Sequence, residues 1–142
     1  MSISQIFISN KIGEIIQYTA EIEDLLKFSD EEILGDSGKM HIAERLTQLI
    51  ADTMIDINNH LIKELKLEPV EDIQSTFYTL SDGKVLPREF SERLAPIIGL
   101  RNRIVHRYDK LDKDLFIKTL RKECSDFKKY NEIIEKFLKK IK

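Results

Sequence analysis

From Ile6 to Leu26 the apolar residues Ile6, Ile8, Ile12, Ile15, Ile16, Ile22, Leu25 and Leu26 recur mostly at three- and four-residue intervals, with Glu14, Gln17, Glu21 and Asp24 between them. That period turns one face of a helix to a core and the other to water, and it predicts a long first helix. Ser29 to Lys39 holds Gly35 and Gly38 around Asp36 and Ser37, a turn sequence that also supplies a cap for the next helix. Ile42, Leu46, Leu49, Ile50, Ile57 and Leu61 keep helical spacing as far as Leu65. Pro69, which has no N–H to donate, then forbids continuation, so a second long helix is expected from Met40.

Pro69 followed by Val70, Ile73, Phe77 and Leu80 suits a short third helix closed by the turn Ser81-Asp82-Gly83. Pro87 can open a fourth, with Phe90, Leu94, Ile97, Ile98, Ile104 and Val105 as its apolar side and a bend expected at Pro96. Asp112 or Asp114 can cap a final helix whose stripe is Phe116, Leu120, Phe127, Ile134, Phe137 or Leu138, and Ile141. No segment alternates with the two-residue period of a strand. The expectation is an all-α protein, an antiparallel bundle of four to five helices forming a single domain over residues 1–142.

Composition narrows the class. At 142 residues with 42% hydrophobic and 34% charged side chains, and only three prolines and five glycines, the chain can bury a real core and is not a linker-rich or disordered protein. No apolar run approaches the ~18 residues of a spanning helix, and the N-terminus lacks the pattern of a signal peptide, so a cytoplasmic protein without a membrane partner is expected. Cys124 is the sole cysteine, which excludes an internal disulfide and any multi-thiolate zinc site. Net charge is −2, but it is unevenly spread. Residues 1–80 carry 6 basic and 15 acidic side chains, and residues 81–142 carry 17 basic and 10 acidic. An anionic partner should therefore meet the second half.

One segment of that half departs from plain amphipathic helix. Gly99-Leu100-Arg101-Asn102-Arg103-Ile104-Val105-His106-Arg107-Tyr108 gathers three arginines, an amide, an imidazole and a phenol around an apolar pair. Imidazole moves protons near neutral pH, and guanidinium holds phosphate oxygens as charge builds on them, so the set suits phosphodiester cleavage. RNA carries its own 2′-hydroxyl nucleophile, so no metal or other cofactor is called for, and no convincing carboxylate or His/Cys ligand cluster is present. On a regular helix Asn102 and His106 share a face, whereas Arg101 and His106 diverge by about 140°. One site using both therefore needs converging side chains, a distorted helix or a second protomer. A two-fold dimer would also supply two copies of His106, one as base and one as acid.

At these residues the sequence resembles the HEPN superfamily, in its HepT-like branch, whose signature is R-x4-H-x-Y with a polar residue after the arginine. Arg101, Asn102, His106 and Tyr108 match it. The resemblance also takes in Glu44-Arg45-Leu46, the stretch Asp56-Ile57-Asn58-Asn59-His60-Leu61, and the block from Leu100 to Asp112. It implies an all-helical homodimer and a metal-independent endoribonuclease toxin with a composite site at the dimer cleft, paired with a small nucleotidyltransferase antitoxin. It further implies that Arg101 and His106 are catalytic, that Asn102 orients or binds, and that Tyr108 is the hydroxyl to which the antitoxin adds AMP; Arg103 and Arg107 beside them are candidate substrate-binding or orienting residues. The target RNA, tRNA or mRNA, stays open.

Plainer alternatives stand beside it. A cationic helix end is favoured by the helix dipole alone. Asp52 and Asp56, four apart, are expected on a solvated face rather than in a paired-carboxylate site. His60 reads as a packed, hydrogen-bonded histidine, His41 as exposed, Cys124 as a small packed residue, and Lys139-Lys140-Ile141-Lys142 as a solvated tail. The rival function is a non-catalytic helical module that binds a nucleotidyltransferase partner or a nucleotide, with Arg101 and His106 as anion ligands.

Overall fold

In the computed structural model, residues 4–106 and 111–141 are described. They form α1 (Gln5–Leu25), α2 (Asp30–Leu34), α3 (Ser37–Glu64), α4 (Ser75–Asp82), α5 (Arg88–His106) and α6 (Lys113–Lys140). No strand occurs among the described residues, and none of the helices is long and apolar enough to cross a membrane.

Side-chain caps start most of the long helices. Ser4 Oγ accepts the Phe7 N–H to open α1, Asp36 accepts the Gly38 and Lys39 N–H groups to open α3, and Asp112 rather than Asp114 accepts from Leu115 to open α6. The turn expected over Ser29 to Lys39 contains a helix of its own. Ser29 and Glu32 satisfy each other's backbone N–H in a capping box, which opens the single turn α2. The third helix starts later than expected, at Ser75, with Asp72 Oδ1 accepting the Ser75 N–H at 2.9 Å and Pro69 and Val70 outside it.

The four long helices form a closed square: α1 packs on α3 and α6, and α5 packs on the same two. Along α1 and α3, Ser4 meets His60 and Lys11 meets Asp56, so the two run antiparallel. Helix α3 also touches α2 and α4, which explains its wide buried face from Met40 to Ile62. Buried positions on α1 are Ile8, Ile12, Ile15, Thr19, Ile22 and Leu25. Ile6 and Ile16, read as part of the stripe, instead lie 78% and 56% exposed, because they fall about 200° from Ile8 and about 100° from Ile15 around the helix. Ile42 and Val105 are likewise on the outside.

A polar tie crosses the core. The Tyr130 hydroxyl donates to Asn58 Oδ1 at 2.6 Å, and Asn58 Nδ2 donates to Thr76 Oγ1 at 3.0 Å, linking α6, α3 and α4. All three side chains are buried, so each satisfied bond removes a desolvation penalty.

Candidate active site at the end of the fifth helix

Helix α5 starts where Pro87 predicts, with the Pro87 carbonyl accepting the Ser91 N–H. Phe90, Leu94, Ile97, Ile98, Leu100 and Ile104 seat it in the core. Pro96 lies on the solvent side, where the carbonyl left without an N–H partner is open to water, and the helix continues through it to His106. The helix that carries the motif is thus anchored along its whole length.

Arg101 is directed inward, its side chain only 20% exposed. Nε donates to Asp52 Oδ1 of α3 at 2.8 Å, and Nη1 donates to Asn102 Oδ1 at 3.2 Å. A half-buried guanidinium needs such a partner, and the contact fixes its plane before any substrate is present. Nη2 has no hydrogen-bond partner among the described residues. Arg103 and His106 are exposed near the helix end, whereas Asn102 is half-buried. Arg107 and Tyr108 lie outside the described residues. The structure therefore brings together Arg101, Asn102 and Asp52, while His106, five residues on along a continuous helix, projects about 140° away from Arg101.

Asp52 is the site residue that the sequence reading missed. It lies about 40° from Asp56 around α3, yet the two take different partners, Asp52 with Arg101 at 2.8 Å and Asp56 with Lys11 at 3.3 Å. The signal lay in the arginine: a motif guanidinium turned toward the bundle requires a carboxylate from the facing helix. Elsewhere the plain readings hold. His60 Nε2 accepts the Ser4 N–H at 3.2 Å and its ring packs on Phe7, centroids 4.8 Å apart. His41 is exposed. Cys124 is buried, and burial first, then the Glu23 charge, pushes its thiol pKa up, away from nucleophile chemistry. Among the described residues no three His, Cys, Asp or Glu side chains stand together as a metal cluster.

A second buried set lies between α5 and α6. Asp126 pairs with Arg93, and Glu123, 4% exposed, is buried near it with its Oε2 lacking a hydrogen-bond partner among the described residues. Burial, then the Asp126 contact, raises the Glu123 carboxyl to about 7.

An all-helical bundle whose fifth helix carries Arg101 and His106 in R-x4-H spacing defines a HEPN-type protein. The family model described as "Ribonuclease HepT-like" matches residues 15–134, and the chain belongs to that family. It is 32% identical over 111 residues, 78% of this chain and 76% of the relative, to a tRNA nuclease HepT of Aphanizomenon flos-aquae. Over 132 residues, 90% of this chain and 96% of the relative, it is 25% identical to an mRNA nuclease HepT of Shewanella oneidensis. In three dimensions it matches a tri-AMPylated Shewanella oneidensis HEPN toxin solved in complex with an MNT antitoxin. The TM-score is 0.87 at 23% identity, over 93% of this chain and 98% of that one, a likeness of fold.

Proposed function

We propose that this HepT-like ribonuclease is the toxin of a toxin–antitoxin pair, cutting RNA without a metal at a site shared by two copies of the chain and silenced by a nucleotidyltransferase antitoxin that adds AMP to Tyr108. The observation that carries this reading is Arg101, oriented by Asp52 at 2.8 Å, in R-x4-H spacing with His106. Arg101 holds non-bridging phosphate oxygens, Asn102 helps to orient it, and Arg103 and Arg107 add contacts to the substrate. One His106 accepts the proton of the 2′-hydroxyl as that oxygen attacks phosphorus. The His106 of a second copy protonates the leaving 5′-oxygen, giving a 2′,3′-cyclic phosphate and a free 5′-hydroxyl. The 140° divergence within one helix favours a two-chain site. AMP on Tyr108 would place an anion beside Arg101 and His106 and oppose RNA binding.

The test is cleavage of total RNA and of tRNA in excess chelator by unmodified wild type and by a folded, dimeric His106→Ala variant. Cleavage by wild type alone is expected. Intact RNA in both lanes, with Tyr108 unmodified by intact mass, would favour the nucleotidyltransferase-binding module instead. Co-expression with the antitoxin should add adenylate mass to wild type and none to Tyr108→Phe.

A further inference from the structure

A groove of about 710 Å³ lies at the far end of α5 from His106, between the turn that joins α4 to α5 and the last turns of α6. Phe137 and Ile141 are among its apolar lining, Lys84, Arg88, Lys136 and Lys140 stand in it, and no acidic side chain is among its lining residues. Lys140 has a plain explanation, since a cation at the end of α6 suits the helix dipole. The same argument works against Arg88, which is the first residue of α5 and sits at the positive end of that dipole. Arg88 has partners of its own, with Asp82 and Glu92 at 3.6 and 3.8 Å on exposed side chains and the Tyr78 ring 4.4 Å beneath its guanidinium, so the uncompensated cations are the lysines. Lys84 is held at φ 63°, where glycine is favoured, yet a lysine occupies the position. Among the described residues no carboxylate pairs with Lys84, Lys136 or Lys140. Four cations facing one apolar floor repel one another unless an anion joins them.

The helix links this groove to the motif. Arg88 and His106 are eighteen residues apart, five whole turns, so they lie on one face of α5 about 27 Å from each other. On that face between them stand Glu92, which pairs with Arg88 at 3.8 Å, then Ala95 and Gly99, where an added Cβ would meet nothing within 4 Å, and then Asn102. That span falls within the ~4–16-nucleotide footprints of grooves that track a single strand.

We infer that the Lys84–Arg88–Lys136–Lys140 groove is an RNA-backbone site outside the catalytic motif, which holds the phosphates of single-stranded substrate several nucleotides from the scissile bond while the apolar floor receives a base. The inference rests on the ribonuclease reading above and extends it to substrate length. An acidic surface of a protein partner is the competing occupant.

The test is fluorescence anisotropy of a labelled single-stranded oligoribonucleotide over a salt series, using the whole chain on a His106→Ala background to prevent cleavage, with and without Lys84→Gln, Lys136→Gln and Lys140→Gln combined. Loss of three phosphate contacts should raise Kd at least ten-fold and reduce the slope of log K against log salt by about 2. The charge-keeping triple Lys→Arg variant should retain both affinity and slope, which separates charge from folding. Unchanged Kd and slope in the glutamine variant would overturn the inference. So would loss of antitoxin binding with RNA binding intact, since the groove would then be a protein interface. Absence of RNA cleavage by the wild type would count against the ribonuclease reading alone, because the anisotropy series decides the groove independently.

Discussion

Asp52 holds Arg101 in place through one charge-assisted bond, and removing its charge should leave the guanidinium present but loosely aimed. Asp52→Asn is expected to lower kcat for RNA cleavage by about 10–100-fold, with a much smaller change in KM, as small misplacements of a positioning group do. Single-turnover kinetics beside a thermal melt checks this, since a purely structural role for Asp52 would move the melt instead. Glu123 gives a second residue-scale prediction. Its carboxyl titrates at about 7 in the fold against an ordinary 4.5, with Asp126, Lys122 and Arg93 as the charged groups that act on it. A raised carboxyl contributes stability that is complete below about pH 4.5 and is lost as pH climbs through about 7. Glu123→Gln stays neutral, so relative to wild type it should gain on the order of 1–3 kcal/mol between about pH 5 and pH 8 in urea titrations. A constant difference across that range would contradict the assignment.

Elements are where the linear pattern was most informative and also where it stopped. Helices α1, α3, α5 and α6 follow from apolar spacing because each spans enough turns for the period to repeat. Helix α2 has five residues, too few for any period, and its mark was local: Ser29 three residues before Glu32. The closure at the end of α1 is not local at all. No basic residue lies in its last turn, and Arg121 of α6 donates to the Leu26 and Phe28 carbonyls and to Asp30 instead. The end of α3 shows a residue working against local preference. Lys66 sits at φ 57° while the Leu67 N–H reaches back to the Ile62 carbonyl at 2.9 Å, a closing turn that glycine adopts without strain. Lys66→Gly is expected to stabilise the protein by about 1 kcal/mol, the relief of a left-handed side chain exceeding the added freedom of the unfolded chain. Chemical denaturation measures it, and a destabilised variant would show that the lysine side chain contributes more than its backbone costs.

For the whole molecule, the polar tie among Tyr130, Asn58 and Thr76 makes α3, α4 and α6 respond together. Tyr130→Phe leaves the Asn58 oxygen buried without its donor and should cost about 1–3 kcal/mol. Because the same hydroxyl also meets the Met54 carbonyl, amide exchange should quicken in both α3 and α6. A loss confined to one helix would show that the tie does not couple them. The all-helical class, a cap in the turn around Asp36 and another at Asp112 or Asp114, the R-x4-H spacing of Arg101 and His106 and the basic second half were legible in the chain, because period, capping chemistry and charge act over a few neighbouring residues. Only the tertiary structure chose Asp52 over Asp56 as the partner of Arg101, left Ile6 and Ile16 outside, buried Glu123 beside Asp126, and gathered Lys84 and Arg88 with Lys136 and Lys140. Each of those outcomes depends on which helix packs opposite and at what rotation, a relation between distant segments that no local pattern encodes.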